Sequence, residues 1–312
     1  MDFLLDGVLG RTTGHRAGRT GDTGLLRLLT TRLPMAFDGT PPASLRSYDP
    51  PGEGGDDAYA HLADTLRPHL DAGHLVLAVL DERAAEPLHA RLLAVRSAME
   101  TTRLVVHTTA LPPLGAALLV RALAELDAAG DLPASVLASG VSRLERTVLG
   151  AAWLRSVARL QHPAPPLKLH ARSYLPRAGF AAVVDDQPRV VRHRGADHPL
   201  PLPPLEPATD WRVVVGTGLG DVSMVEHTLA TVAAGAEIVR VPNRRASATW
   251  WGTDDVVELA CMPRSPSRLR AAVLGDGGTT TCTWCGEVVA AATCPLCGAL
   301  CATASPAPGA AS

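Results

Sequence analysis

Lysine is almost absent from this 312-residue sequence: of its 29 basic residues, only Lys168 is a lysine. A mechanism that needs a lysine to hold a phosphate or to form a Schiff base must therefore use Lys168, or it is excluded. Aromatic residues are also few, at 4% of the chain. Because apolar residues still make up 46%, we expect a sizeable core built mainly from leucine, valine and alanine.

The sequence also lacks a strong net charge, a membrane-spanning run and a secretion signal. The formal net charge is only −2, so charge gives no reason to expect a nucleic-acid partner. No stretch approaches the ~18 to 20 apolar residues of a membrane span, and the acidic start Met1–Asp6 is not typical of a signal peptide. We therefore expect a cytoplasmic protein, in which paired cysteines are metal ligands rather than disulfides.

Two pairs of cysteines near the end of the sequence have the same spacing. Two residues separate Cys282 from Cys285 and Cys294 from Cys297, and a glycine follows each pair. This gap lets both sulfurs of a pair reach one metal ion, and the glycine permits the positive φ that the turn needs. The segment resembles the two knuckles of a zinc ribbon. The resemblance implies a tetrahedral Zn²⁺ site, closed to substrates, within residues 276–301.

Strand-length apolar runs alternate with helical stripes between residues 58 and 165. The predicted strands are Leu75–Leu80 and Leu104–Val106, and the predicted helices carry apolar stripes over Tyr59–Leu70, Leu88–Met99 and Leu114–Leu126. This order predicts an α/β domain with a mostly parallel sheet and helices on both faces. Residues 133–160 are predicted to be largely helical, with breaks at Gly140 and Gly150.

Residues 166–275 predict a smaller α+β segment, which could continue the same sheet. Short strands are expected at 167–174, 180–184, 189–193 and 256–261. A βαβ-like unit is expected from strands Trp211–Val215 and Ile238–Val241 around a helix at Val222–Ala234.

The two ends of the chain have weaker patterns. Residues 1–57 predict an irregular, glycine-rich arm with one short helix over Leu25–Leu33, and residues 302–312 predict a disordered tail.

A glycine-rich loop joins the strand and the helix of the βαβ-like unit. Gly216, Gly218 and Gly220 lie where dinucleotide-binding folds place a pyrophosphate, so they are candidate ligand-binding residues. The third glycine of that motif would fall at position 221, which is Asp221. A carboxylate there would repel phosphate and would instead cap the helix, so a plain tight turn is the alternative.

A second candidate ligand site follows the two predicted parallel strands. Asp81 comes directly after the first strand, and His107 and Thr108 follow the second. If the sheet is parallel, these residues meet at its carboxyl edge, where open α/β sheets bind ligands. Each is equally at home in a helix cap or a solvated turn.

From these patterns we predict an accessory or adaptor protein that acts within a larger assembly, with the zinc ribbon as its docking element. Trp284 is the candidate contact with a protein partner, and no catalytic residue is predicted. One alternative is an enzyme or sensor that binds a nucleotide or phosphate at Gly216–Asp221. Another is a nucleic-acid-binding protein, which the lack of Arg and Lys from Thr279 to Ser312 disfavours.

Overall fold

The computed structural model of the protein describes residues 26–30, 45–47, 56–83, 85–175, 179–242 and 245–301. Most of the predicted N-terminal arm and the predicted tail at 302–312 lie outside these residues. Within the described ranges, no helix is both long enough and apolar enough to cross a membrane.

Twelve strands and eight α-helices follow one another along the described chain. In order they are β1 (Leu26–Thr30), β2 (Leu45–Ser47), α1 (Asp56–Asp71), β3 (Leu75–Asp81), α2 (Ala85–Ala98), β4 (Leu104–Thr109), α3 (Pro113–Ala129), α4 (Ala134–Glu145), β5 (Leu149–Leu154), α5 (Leu167–Arg172), β6 (Phe180–Val184), β7 (Arg189–Arg192), β8 (Trp211–Thr217), α6 (Ser223–Thr231), β9 (Glu237–Pro242), α7 (Arg245–Trp251), β10 (Val256–Pro263), α8 (Pro266–Leu274), β11 (Thr280–Thr281) and β12 (Val288–Val289).

The first sheet has four parallel strands in the order β2-β1-β3-β4. The helix predicted over Leu25–Leu33 is wrong, because Leu26–Thr30 forms strand β1. Leu28 of β1 pairs with Leu45 on one side and with Leu77 on the other. A run of leucines this short fits a helix or a buried strand equally well. Pairing with strands distant in sequence decided between them, and it brings part of the predicted arm into the sheet.

The second sheet has six strands in the order β7-β6-β5-β10-β8-β9, antiparallel except for the β8–β9 pair. Two predictions are wrong here. Leu149–Leu154 is strand β5 rather than helix, and Leu167–Arg172 is helix α5 rather than strand. Since β5 pairs with β6, the predicted domain boundary at residue 165 separates two strands of one sheet.

Helices α3 and α4 lie between the two sheets. Helix α3 buries residues on all of its sides, among them Leu114, Leu118, Leu119 and Leu123. These leucines belong to one core with residues of β3 and β4 on one side and of β8 and β10 on the other. The first two turns of α3, Pro113–Val120, are buried all round, so this part of the helix must be enclosed, and the two sheets enclose it. Further along α3, Arg121 and Glu125 form an ion pair and Glu125 is exposed. The predicted α/β class, with helices on both faces of the parallel sheet, is confirmed.

Gly140 lies inside α4 and does not break it, contrary to the prediction. A Cβ at this position would stand 2.6 Å from both Cγ1 and the carbonyl oxygen of Val273 on α8. The glycine is therefore explained by the close approach of the two helices, which no larger residue would permit.

The outer faces of the sheets have covers of their own. Helices α1 and α2 pack on the first sheet through Leu62, Leu66 and Leu92, and α6 packs on the second through Val225 and Leu229. On the inner face of the second sheet, α7 contributes the buried Trp250 and Trp251. The layers therefore run helix, sheet, helix, sheet, helix.

Candidate functional site

The four paired cysteines converge on one point. The Sγ atoms of Cys282, Cys285, Cys294 and Cys297 all lie within 4.8 Å of one another. The two short distances, Cys282 to Cys297 and Cys285 to Cys294, are 3.6 Å. Four thiolates at about 2.3 Å from one tetrahedral zinc would be about 3.8 Å apart. The observed spacing is too long for a disulfide and fits four ligands of one metal ion.

The local backbone explains why the sulfurs meet. Gly286 and Gly298, each just after a pair, have φ of +75° and +77°. Their amides close the two turns by bonding the carbonyl oxygens of Cys282 and Cys294, at 2.9 and 2.8 Å. Backbone amides of Cys285 and Trp284 lower the pKa of the Cys282 thiol, whereas burial raises the pKa of the Cys285 and Cys294 thiols.

The four-cysteine module, residues 279–301, is packed onto the rest of the chain and does not project from it. Cys282, Val289, Cys294 and Leu296 are at most 1% exposed and belong to the core around α3 and α4. The exposed side of the module carries Trp284, which is 81% exposed.

Polar contacts fix the module to α4. The Ser135 hydroxyl donates to the carbonyl of Val288, and the amide of Ala290 donates to the Ser139 hydroxyl, both at 2.7 Å. Arg143 also donates to the carbonyl of Ala290. All three side chains lie one helical turn apart on one face of α4. Near α2, Arg96 donates to the carbonyl of Leu296 and Arg103 pairs with Glu287 at 3.2 Å.

The predicted docking role of this module is not supported. The segment Glu287–Thr293 between the cysteine pairs is mostly valine and alanine, so its side chains must either pack on the protein's own body or meet a partner. Val289 and Ala290 are buried on the protein's own body.

The carboxyl ends of β3 and β4 do meet, as the parallel sheet requires. Asp81 is the register partner of Thr109, next to Thr108. The side chains differ in their surroundings: Thr108 is exposed, whereas Thr109 is 1% exposed. Asp81 accepts a bond from the amide of Arg83 at 3.1 Å, so it caps a turn. Ligand contact by Asp81, His107 and Thr108 stays a prediction.

Glu145, at the end of α4, lies opposite this edge. Its carboxylate bonds His107 Nε2 at 2.7 Å and accepts from the Thr109 hydroxyl at 2.5 Å. Burial raises the pKa of Glu145, but the hydrogen bonds with His107 and Thr109, the charge of His107 and the amide of Ala110 together lower it below the ordinary value. Glu145 is 38 residues from His107, and no local sequence signal could have paired them.

Arg83 connects the same edge to the second sheet. Its guanidinium donates to the carbonyl oxygens of Trp250 and His162, at 2.8 and 3.2 Å, and lies 3.8 Å from the centroid of a Trp250 ring. Burial lowers the pKa of Arg83, but a guanidinium remains charged at neutral pH. The cation is thus engaged by the chain's own carbonyls and indole.

Backbone conformation and close packing explain the residues of the glycine-rich loop after β8. Gly218 has a φ of +97°, and a Cβ on Gly220 would stand 2.8 Å from the carbonyl carbon and oxygen of Val256. Asp221 accepts the amide of Ser223 at 3.0 Å and so begins α6. These contacts fit the tight-turn alternative. Ligand contact by Gly216, Gly218 and Gly220 stays a prediction.

Glu258 is the polar residue whose importance the sequence did not reveal. It lies in the apolar strand β10 on the face toward α3, with no solvent exposure. Its Oε1 accepts the amide of Leu114, in the first turn of α3, at 2.8 Å. Burial raises its pKa to about 7, and Ser247, the Leu114 amide and Trp251 oppose this rise. One acid in an eight-residue apolar strand was the available signal.

No protein-family model matches this sequence, and no curated protein matches it either. Solved structures do share its fold. A DegV family protein from Corynebacterium glutamicum superposes with a TM-score of 0.52 at 9% identity, covering 78% of this chain and 99% of its own. A fatty-acid-binding DegV family protein from Thermus thermophilus gives 0.52 at 14% identity, covering 77% and 99%. A DegV family protein from Eubacterium eligens, loaded with heptadecanoic acid, gives 0.50 at 8% identity, covering 77% and 100%.

The chain therefore has a DegV-like α/β fold. The predicted function, an adaptor that docks through a zinc ribbon, is wrong. Its fold is one whose solved members include fatty-acid-binding proteins, and its cysteine module is part of its own core. Nothing in the comparison points to the two alternatives, a nucleotide or phosphate ligand and a nucleic acid.

Since the module belongs to the core, Cys282→Ser should destabilise the whole described fold by more than about 4 kcal/mol, the range of lost metal sites. Urea unfolding of metal-loaded protein, followed by far-UV circular dichroism, measures this. Trp284→Ala on the same turn is the control and should change stability by less than about 0.5 kcal/mol. An unchanged midpoint in Cys282→Ser would show that the module is dispensable for the body.

The Glu145 contacts predict a pH-dependent contribution to stability. The folded pKa of Glu145 is lowered, so its contribution is present above the unfolded pKa of about 4.3 and is lost as the pH falls through the folded pKa. Glu145→Gln should therefore lower the free energy of unfolding by about 1–3 kcal/mol at pH 7. The loss should become progressively smaller below pH ~4.

Urea unfolding at pH 7 and below pH ~4 tests this prediction. Glu226→Gln is the control, because Glu226 pairs with Arg240 on the surface, where both side chains are about half exposed. If Glu145→Gln lowered the free energy of unfolding equally at pH 7 and below pH ~4, the result would contradict a stabilising role of the ionised Glu145 carboxylate.

Proposed function

We propose that this chain binds a fatty acid, or a similar long-chain carboxylic acid, in the layer between its two sheets. The observation that carries the proposal is the shared fold. The Thermus thermophilus protein binds fatty acids and the Eubacterium eligens protein was loaded with heptadecanoic acid, and both match nearly along their full length.

The chemistry of the inner layer supports an acyl chain as ligand. The first two turns of the helix at its centre, Pro113–Val120, are apolar and buried on all sides, and the inner faces of both sheets contribute mainly leucine, valine and alanine. Each methylene group moved from water into such surroundings gains about 0.8 kcal/mol. A phosphate or a nucleotide would gain nothing from these walls and would lose its hydration.

We also infer that the four-cysteine module holds a structural zinc ion. Cys282, Cys285, Cys294 and Cys297 supply four sulfur ligands at tetrahedral spacing, and such a set leaves no open position for a substrate. The ion would supply folding free energy rather than catalysis. Through Ser135, Ser139 and Arg143, it would stabilise α4 in the layer where we place the ligand.

The two sheets and the module together form, in this proposal, one binding unit rather than separable domains. No protein partner is identified, and partner contact by Trp284 stays a prediction.

Both parts of the proposal are tested on one preparation of the full chain, purified without chelator. Elemental analysis should give one zinc per chain, and solvent extraction followed by mass spectrometry should release a long-chain carboxylic acid. Adding hexadecanoate to delipidated protein should raise its thermal midpoint, because a ligand that binds only the folded state stabilises it.

Measurements on the same preparation can contradict each part of the proposal separately. Iron in place of zinc would contradict the assigned metal. Absence of an extracted acid, together with no thermal shift on adding hexadecanoate, would contradict lipid binding.

A further inference from the structure

The cysteine module contains a fifth cysteine, Cys301, that is not part of its metal site. A tetrahedral zinc ion takes four ligands, and the two cysteine pairs already supply them. Cys301 is 7% exposed and belongs to the same core as the module. A free thiol enclosed beside four metal ligands can take part in sulfur chemistry that an alanine in its place could not.

The backbone holds Cys301 next to the second cysteine pair. Its amide donates to the carbonyl of Ala292 at 2.7 Å, and Leu300 forms a β-bridge with Thr293. The thiol of Cys301 lies within hydrogen-bond reach of the Cys282 sulfur. Backbone pairing therefore places a free thiol against one of the four metal ligands.

The cysteines of the module differ in their access to solvent. Cys285 and Cys297 are partly exposed, whereas Cys282 and Cys301 are buried. A small oxidant in solution therefore reaches Cys285 and Cys297 first. Cys297 lies 3.6 Å from Cys282, and Cys282 contacts Cys301. Three sulfurs thus form a continuous path from the surface of the module to a free thiol in its interior.

We propose that Cys301 makes the metal site reversibly sensitive to peroxide, because it forms a disulfide with Cys282 after Cys297 is oxidised. This inference rests on the zinc site of the proposed function and does not depend on the fatty acid. The alternative is that Cys301 is only a small core residue. A core residue would remain a free thiol when the site is oxidised, so the two roles are distinguishable.

The reaction consumes one molecule of hydrogen peroxide and oxidises two sulfurs. Peroxide converts the Cys297 thiolate into a sulfenic acid and leaves as hydroxide. The Cys282 thiolate attacks that sulfur, forms a disulfide with Cys297 and displaces a second hydroxide. The Cys301 thiol then loses its proton and attacks the Cys282 sulfur, and Cys297 leaves as a thiolate. The net products are a disulfide between Cys282 and Cys301, one water and one hydroxide.

The final disulfide removes a single ligand from the metal site. Cys285, Cys294 and Cys297 remain as thiolates, so one coordination position opens and the metal becomes exchangeable. Without Cys301 the reaction would stop at the disulfide between Cys282 and Cys297, which removes two ligands. A thiol reductant reverses the bond by thiol–disulfide exchange and returns Cys282 to the site.

Mass spectrometry of the zinc-loaded full chain after treatment with hydrogen peroxide tests where the disulfide forms. Free thiols are alkylated without reduction, and the chain is cleaved after Glu287, which separates Cys282 and Cys285 from the other three cysteines of the module. We expect a disulfide that joins Cys282 to Cys301, with alkyl groups on the three remaining cysteines. A chromogenic chelator should detect zinc release from the oxidised protein, and dithiothreitol with added zinc should restore the bound metal.

Cys301→Ala and Cys261→Ala form a matched pair of variants. Cys261 is also outside the metal site, but it is 1% exposed and belongs to a different core. Cys261→Ala should respond to peroxide as the wild type does. Cys301→Ala should instead accumulate the disulfide between Cys282 and Cys297 and, with two ligands lost, release zinc to the chelator faster than the wild type. Thermal unfolding and elemental analysis before oxidation verify that each variant is folded and holds zinc.

Disulfide mapping of the wild type decides the proposal even if a variant does not fold. An alkylated Cys301 in the oxidised wild type would overturn the role of this residue. A Cys301→Ala variant that releases zinc at the wild-type rate, or a wild type that keeps all its thiols in peroxide, would do the same. Absence of zinc from the untreated wild type would instead contradict the zinc site of the proposed function, and this inference with it.

Discussion

The first two turns of α3, Pro113–Val120, are buried on every side, so this part of the helix cannot lie on the surface of the protein. Its leucines contact core residues of both sheets, so the parallel sheet and the mixed sheet are held together by the burial of one element. Each fully buried leucine contributes about 1.5–3 kcal/mol. Removing α3 would leave the inner face of each sheet exposed. The five-layer arrangement follows from this single requirement.

Enclosing a helix also buries the amides at its first turn, which then need a hydrogen-bond acceptor. In this chain a carboxyl group accepts one of them. The first amides of a helix have no partner within it. Here two prolines, which lack an amide hydrogen, begin the helix, and Glu258 accepts the amide of Leu114. Burial raises the pKa of the same carboxyl group to about 7, although the donors around it oppose the rise. A structural solution for one helix end thereby creates the one fully buried acid among the described residues.

Helix α4, the second helix of this layer, connects the two other polar features. One face of α4 holds the cysteine module through Ser135, Ser139 and Arg143. Its last residue, Glu145, holds the edge of the parallel sheet through His107 and Thr109. The cysteine module and the carboxyl edge of the sheet are thus connected through one helix of 12 residues.

Features set by neighbouring residues were predictable from the sequence, and features set by distant ones were not. The cysteine pairs follow from a two-residue spacing, and the strands Leu75–Asp81 and Leu104–Thr109 follow from continuous apolar runs. Strand β1 was mistaken for a helix because five residues cannot show a period, and its partners lie elsewhere in the chain. Glu145 and Glu258 have their partners 38 and 144 residues away. The contacts of the cysteine module with α4 join residues 153 and 151 positions apart. The sequence therefore left open whether the apolar segment of the module packs on the body or meets a partner.

Native-state hydrogen exchange tests most directly whether the two sheets, α3 and the cysteine module form one cooperative unit. We expect the slowest amides of α3, β3, β10 and β12 to exchange with the same free energy of opening, and all of them to lose protection together when the metal is removed. The contrary result would be that β3 and α3 open at a lower free energy while β10 and its neighbours keep their full protection. It would contradict a fold organised around one shared helix.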